Sequence, residues 1–255
     1  MTNDADLLGA FEQALGPDES SDDLQLEPLL EQLQDPDARV RGHAARSLGI
    51  LGDRAAVKPL IERLHDKNAR MRWHAAYALG RLNDRLAVPP LIELVKREQD
   101  SGVRGRAAEA LGMIGAPKSI PVLVESLRDQ DHNVRWRAAD ALTSIGGPAV
   151  VESVIATLQD PDPGVRWRAA AILGKLGNRR ATLPLIQALQ DENPSVRGWA
   201  VEALGLLGDE RALPALETLC HEETRAPYLG KIADLVWVAI RRIHGDHKTS
   251  THGST

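Results

Sequence analysis

Apolar residues recur along this chain in two alternating rhythms. In residues 162–177 the positions Val165, Ala169, Leu173 and Leu176 fall every three or four residues, which puts them on one stripe of an α-helix. Asp162 before Pro163 supplies a start signal, and Gly177 supplies a stop. A shorter apolar stretch follows at residues 183–189 and predicts a second helix of about three turns. We call the two helices A and B. The pattern then repeats: the marker Arg166 has equivalents at Arg41, Arg72, Arg104, Arg135 and Arg197, always 31 or 32 residues apart. The matching start residues are Asp37, Asn68, Asp100, Asp131 and Asn193, and the matching stops are Gly52, Asn83, Gly115, Gly146 and Gly208. A fixed period of this length predicts an all-α fold, an α-solenoid or superhelix of two-helix repeats, because one helix pair cannot bury its apolar stripe alone.

Alanine pairs on helix A (Ala44-Ala45, Ala75-Ala76, Ala107-Ala108, Ala138-Ala139 and Ala169-Ala170, with Ala200-Val201 in the sixth repeat) predict closely stacked helices. Aromatic residues make up only 3% of the chain, so the core is built from Leu, Ala, Val and Ile. The solenoid is expected over residues 24–246, as a leading half-repeat, six full repeats and an extended C-terminal cap helix. Residues 1–23 read as an acidic arm with a short helix carrying Leu7, Leu8, Phe11 and Leu15, and residues 247–255 as a disordered tail.

Charge sharpens this division. Residues 1–38 hold 11 of the 36 acidic residues and none of the 31 Lys and Arg, so the remainder carries an excess of about six positive charges. Cys220 is the single cysteine and cannot form an internal disulfide, the N-terminus has no basic segment of the secretory kind, and no apolar run is long enough to span a bilayer. A reduced, cytoplasmic protein without membrane insertion is expected.

In each repeat an acid stands six positions before the marker Arg, and in the first the pattern continues in full with Ala44-Ala45, Leu48-Gly49, Gly52-Asp53 and a helix B carrying Pro59-Leu60-Ile61. This grammar resembles the HEAT repeats, in particular the short variety named after phycobilisome lyases, over roughly residues 24–246. The acid–arginine pairs are Asp35–Arg41, Asp66–Arg72, Glu98–Arg104, Asp129–Arg135, Asp160–Arg166 and Asp191–Arg197. The resemblance implies that they form a structural ladder joining neighbouring repeats. It implies less about activity, because such repeats serve lyases, scaffolds, chaperone-like proteins and at least one hydroxylase.

Three surfaces are candidates for recognition. Trp73, Trp136 and Trp167 directly follow their marker Arg, where other repeats have Gly42, Gly105 and Gly198. Each indole is expected to fill the groove between adjacent helices A, near the glycine seven positions on (Gly80, Gly174); an exposed ring would instead bind a partner. The next row, His43, His74, Arg106, Arg137, Arg168 and Trp199, is expected to point away from the core. That face would neutralise itself through Arg106–Glu109 and Arg137–Asp140 pairs three residues apart. On helix B two columns are expected to be exposed: Glu62, Glu93, Glu125, Ala156, Gln187, Thr218, and His65, Lys96, Arg128, Gln159, Gln190, His221. By resemblance they line the concave groove. Partner binding is therefore assigned to Trp73, Trp136, Trp167 and Trp199 on the edge and to Glu62, Glu93, Glu125 and Arg128 in the groove.

Chemistry finds less footing. The HEAT-repeat hydroxylase holds two irons with repeated His-Glu pairs, whereas the corresponding positions here read Gly42-His43, Trp73-His74, Gly105-Arg106 and Trp136-Arg137; His221-Glu222 stands alone. No glycine-rich phosphate loop, activated nucleophile or metal-spaced cluster is found in the sequence, so no catalytic, cofactor or metal residue is assigned. The leading expectation is a non-catalytic scaffold that binds another protein. A phycobilin lyase, or a lyase-like factor acting on a phycobiliprotein, is the alternative that the resemblance implies, and the scarcity of Tyr and Phe weighs against it. Nucleic-acid binding is disfavoured because the basic excess is modest.

Overall fold

The computed structural model describes residues 25–245. The expected arm, its short helix and the tail at 247–255 lie outside the described residues. A leading helix α1 (Leu26–Gln32) is followed by six helix A/helix B pairs. These are α2 (Ala38–Leu51) with α3 (Val57–Arg63), α4 (Ala69–Leu82) with α5 (Val88–Arg97), α6 (Ser101–Ile114) with α7 (Ile120–Ser126), α8 (His132–Ile145) with α9 (Gly147–Ala156), α10 (Pro163–Leu176) with α11 (Thr182–Ala188), and α12 (Pro194–Leu207) with α13 (Leu213–Glu217). A two-residue antiparallel ladder, β1 (Arg225–Ala226) with β2 (Gly230–Lys231), leads into the cap helix α14 (Ile232–Ile243). The stretched last unit thus contains a hairpin, not one lengthened helix, and in the turn between its paired ends Tyr228 has φ 66°.

The start signals act as read. Each of Asp37, Asn68, Asp100, Asp131, Asp162 and Asn193 accepts a backbone N–H of the first turn through its side chain. All six helices A are 14 residues long, so every repeat presents the same positions to its neighbours. Five of them end on a left-handed residue, Asn83 included. In the fourth repeat Gly146 has φ 60° and ψ −163°, and the chain passes directly into α9 without the 3-10 turn that opens helix B elsewhere.

One apolar seam runs from Leu29 to Ile243. Its constant element is the leucine column Leu48, Leu79, Leu111, Leu142, Leu173 and Leu204, all fully buried, each contributing about 2 kcal/mol by removal from water. The alanine pairs are buried too, Ala139 only partly, but the closest backbone approach lies elsewhere. A Cβ built on Gly49, Gly80, Gly112, Gly174 or Gly205 would stand 2.7–2.9 Å from the Cα of Ala78, Ala110, Ala141, Ala203 or Ala239 on the next helix. The glycine of the Leu-Gly pair therefore sets the helix spacing. At the junction between α8 and α10 both partners are replaced, by Thr143 and Ile172, and the two helices pack sparsely there.

Candidate functional site

The arginine column is a ladder with a different pairing from the one expected. Arg41 donates from Nε and Nη2 to the carboxylate of Asp66, 25 residues on, at 2.9 Å each, and from Nη1 to the backbone carbonyls of Asp35 and Pro36. Arg72 with Glu98, Arg104 with Asp129 and Arg166 with Asp191 repeat the arrangement. The acid six positions before an arginine therefore gives that arginine its carbonyl oxygen, while its carboxylate serves the arginine of the preceding repeat. The same carboxylate also accepts the N–H two residues on, as Asp66 does from Asn68. Burial would raise the Asp66 carboxyl, but the Arg41 fork and the Asn68 N–H outweigh it and hold the group below the usual carboxylate range.

The ladder changes at its fourth and sixth steps, on either side of the regular Arg166–Asp191 pair. Arg197 Nη2 lies 3.5 Å from Glu222. Buried Asp160 does not receive Arg135; it accepts the guanidinium of Arg128, which reaches across from helix B of the third repeat. Arg135 keeps only the carbonyl half of the pattern, donating from Nη1 to Asp129 and Gln130 at 2.8 Å each. Arg128, expected in the groove, is thus an inter-repeat contact.

The tryptophan edge follows a register rule that needs the stacked repeats to be seen. The residue after each marker Arg faces the residue two after the marker in the next repeat. Gly42 makes room for the His74 ring and Gly105 for the Arg137 stem, each 2.9 Å from a built Cβ. Trp73 carries the Arg106 guanidinium 3.9 Å from its ring centre, and Trp167 stacks on Trp199 at 5.7 Å. Apart from His43, which is exposed as expected, the row expected to point outward is therefore at least partly buried between helices A. Arg137 pairs with Glu109 of the preceding helix A and not with Asp140, while Arg106 does pair with Glu109. Nor do the indoles rest on Gly80 and Gly174, whose space belongs to Ala110 with Met113 and to Ala203 with Leu206. Trp73, Trp167 and Trp199 are partly buried, whereas Trp136 is 49% exposed.

His74 shows the cost of this packing. It is buried, its Nδ1 has no partner among the described residues, and burial together with the charges of Arg70, Arg46, Arg106 and His43 pushes its pKa down to about 4. The folded chain therefore resists a proton that the unfolded chain accepts near pH 6.5. The resulting stability is complete above that pH and is lost as pH falls toward 4, by about 3 kcal/mol over the window. His74→Gln is expected to remove this slope, which shows in the difference between the two chains' denaturation midpoints at pH 7 and pH 4.5.

The helix-B columns behave as a surface. All twelve of their positions, from Glu62 and His65 to Thr218 and His221, are exposed. Two features passed unnoticed in the sequence. A second set of rungs ties Arg54 to Asp84 and Thr182 to Asp209 through the Gly-Asp positions, and the recurrence of Asp53, Asp84 and Asp209 was its signal. Trp237, on α14, is 54% exposed, where the earlier repeats carry Val201 or an alanine such as Ala170. Among the described residues, no helix is long and apolar enough to cross a membrane, and no group of three His, Cys, Asp or Glu side chains is placed to hold a metal ion.

Paired helices, a continuous apolar seam and an arginine–carboxylate ladder define an α-solenoid protein. The sequence model for HEAT repeats matches residues 26–112, 88–159 and 151–230, and the chain belongs to that family. Among solved structures it is similar to an archaeal HEAT-like repeats protein from Thermococcus onnurineus NA1, at 18% identity over 88% of this chain and 100% of the other, with a TM-score of 0.53. It is also similar to the complex of CpcE and CpcF of phycocyanin lyase from Nostoc sp. PCC7120, at 24% identity over 92% of each chain, with a TM-score of 0.50. No curated protein matches the sequence. At these identities the likenesses speak for the fold.

Proposed function

We propose that the chain is a non-catalytic scaffold that binds another protein along the exposed face of its B helices. The observation that carries this reading is the pair of unbroken exposed columns there, one turn apart on successive helices. Their first half is charged, with Glu62, Glu93 and Glu125 beside His65 and Lys96, and their second half is largely uncharged, with Ala156, Gln187, Thr218, Gln159 and Gln190. Such a surface suits a partner that presents basic groups at one end and hydrogen-bonding groups at the other. The acidic row repels phosphates, which disfavours nucleic acid as the ligand.

The test is capture from the native lysate with the unchanged chain and with Glu62→Arg, Glu93→Arg and Glu125→Arg combined. A partner held by the first and lost by the second at an unchanged thermal midpoint is the expected result. Equal capture by both chains, or none by either, would refute the reading. The lyase alternative has a separate readout: mixing micromolar protein with a phycobilin is expected to leave the visible absorbance unchanged, and a shifted band would favour a lyase-like role.

A further inference from the structure

The seam between the fourth and fifth repeats departs from the others at four places. Thr143 and Ile172 stand where glycine and alanine bring the helices together at the other five junctions, and α8 and α10 pack sparsely. Gly146 and Gly147 replace the usual turn into helix B. Asp160 has gone to Arg128, so the Nε–Nη2 edge of Arg135, which on other rungs carries a carboxylate, meets none, and it is not among the buried polar atoms. Finally, Arg168, whose register places it opposite Trp136, turns back over Trp167 at 4.3 Å and donates to the Gly164 carbonyl, which leaves Trp136 half exposed.

The result is a notch that holds two guanidiniums and one uncovered indole. Nη1 of Arg135 is already anchored to two carbonyls, so its fork is fixed in the orientation that grips carboxylates elsewhere in the molecule. Burial, and secondarily the Arg135 charge, push Arg168 down to about 10 even though the Asp162 carboxylate pulls the other way, so the two guanidiniums leave a local excess of positive charge. A flexible polypeptide carrying carboxylates between apolar residues would satisfy all three side chains.

We propose that this notch is a docking site for the chain's own acidic N-terminal segment, residues 1–23. That segment holds seven carboxylates (Asp4, Asp6, Glu12, Asp18, Glu19, Asp22 and Asp23) and no Lys or Arg, with Leu7, Leu8 and Phe11 among them for the indole. Length permits it: 23 residues extend to roughly 75 Å, while three helix-to-helix steps from α2 to α8 span roughly 30 Å. Tethering supplies an effective concentration in the millimolar range, so the segment outcompetes free acidic peptides of equal affinity. The notch is built from helices A, so this docking does not depend on the helix-B reading and stands or falls separately.

The test uses a labelled peptide of residues 1–23 and full chains. A chain whose seven N-terminal acids are changed to amides is expected to bind the peptide at least about tenfold more tightly than the unchanged chain, because its own segment no longer competes. Adding Arg135→Glu and Arg168→Glu to that chain is expected to weaken the peptide about tenfold or more, and raised salt is expected to weaken it as well. Should charge reversal unfold the chain, Trp136→Ala tests the same site, with an expected loss of about threefold to tenfold. Equal binding by the unchanged and amide chains, or binding insensitive to Trp136→Ala and to Arg135→Glu with Arg168→Glu, overturns the proposal. So does the absence of any peptide binding.

Discussion

Arg41→Ala is expected to cost about 3–5 kcal/mol, because it strands the Asp66 carboxylate in a site where both side chains of the pair are almost fully buried, at 6% and 5% exposure. Arg41 holds Asp66 with a two-pronged fork and two carbonyls with its remaining nitrogen, so Lys in its place restores charge but not geometry. Arg41→Ala with Asp66→Ala is expected to recover part of the loss, since no uncompensated charge then remains buried. Stability in a stacked array is local, so the damage should appear in the N-terminal repeats, as faster amide exchange over residues 38–66. Arg135→Ala supplies the contrast: with no carboxylate on its fork, it should cost less than about 1 kcal/mol. Similar losses for the two substitutions would mean that the carbonyl bonds, and not the ion pairs, hold the repeats together.

Gly112→Ala has the second large expected effect, and two magnitudes compete in it. Alanine in a helix interior is normally better than glycine by about 1 kcal/mol. Here the added Cβ would stand 2.7 Å from both Cα and Cβ of Ala141, and a backbone atom of a packed helix cannot step aside as the tip of a side chain can. Overpacking of this kind costs about 1–3 kcal/mol, and the contact is the tightest of the five, so a net loss of about 2 kcal/mol is expected. Thr143→Ala, at the equivalent place in the loose fourth junction, should stay within about 0.5 kcal/mol of the unchanged chain. Thermal midpoints of the two variants decide the matter, and a rise for Gly112→Ala would show that the helices yield.

The pairing of the ladder illustrates how far sequence reading reaches. Asp66 and Arg72 lie six residues apart in one repeat, and their recurrence marks both as parts of one device. Which carboxylate meets which guanidinium depends on where the next repeat is laid down, and that places Asp66 against Arg41. The tryptophan edge fails to be legible for a similar reason. A helical wheel puts Trp73 beside Gly80, yet the partner of Trp73 is Arg106, one position out of step on the neighbouring helix. His74 and Arg137 look solvated on the wheel because nothing local covers them, and both are packed by the repeat before.

What the sequence determined by itself is everything that acts within about one turn or one repeat: the caps at Asp37 and its equivalents, the left-handed stops, the two-helix unit, the leucine column and the exposed helix-B columns. Local backbone chemistry and apolar periodicity suffice for these, because each depends on residues no more than a few positions apart. Only the tertiary structure decided the contacts between repeats, the 25-residue pairing, the fold-back of Arg168 and the opening at Trp136. These depend on the offset and spacing of stacked helices, fixed by small residues such as Gly112 meeting Ala141, and a change of one side chain at that contact alters which distant groups can touch.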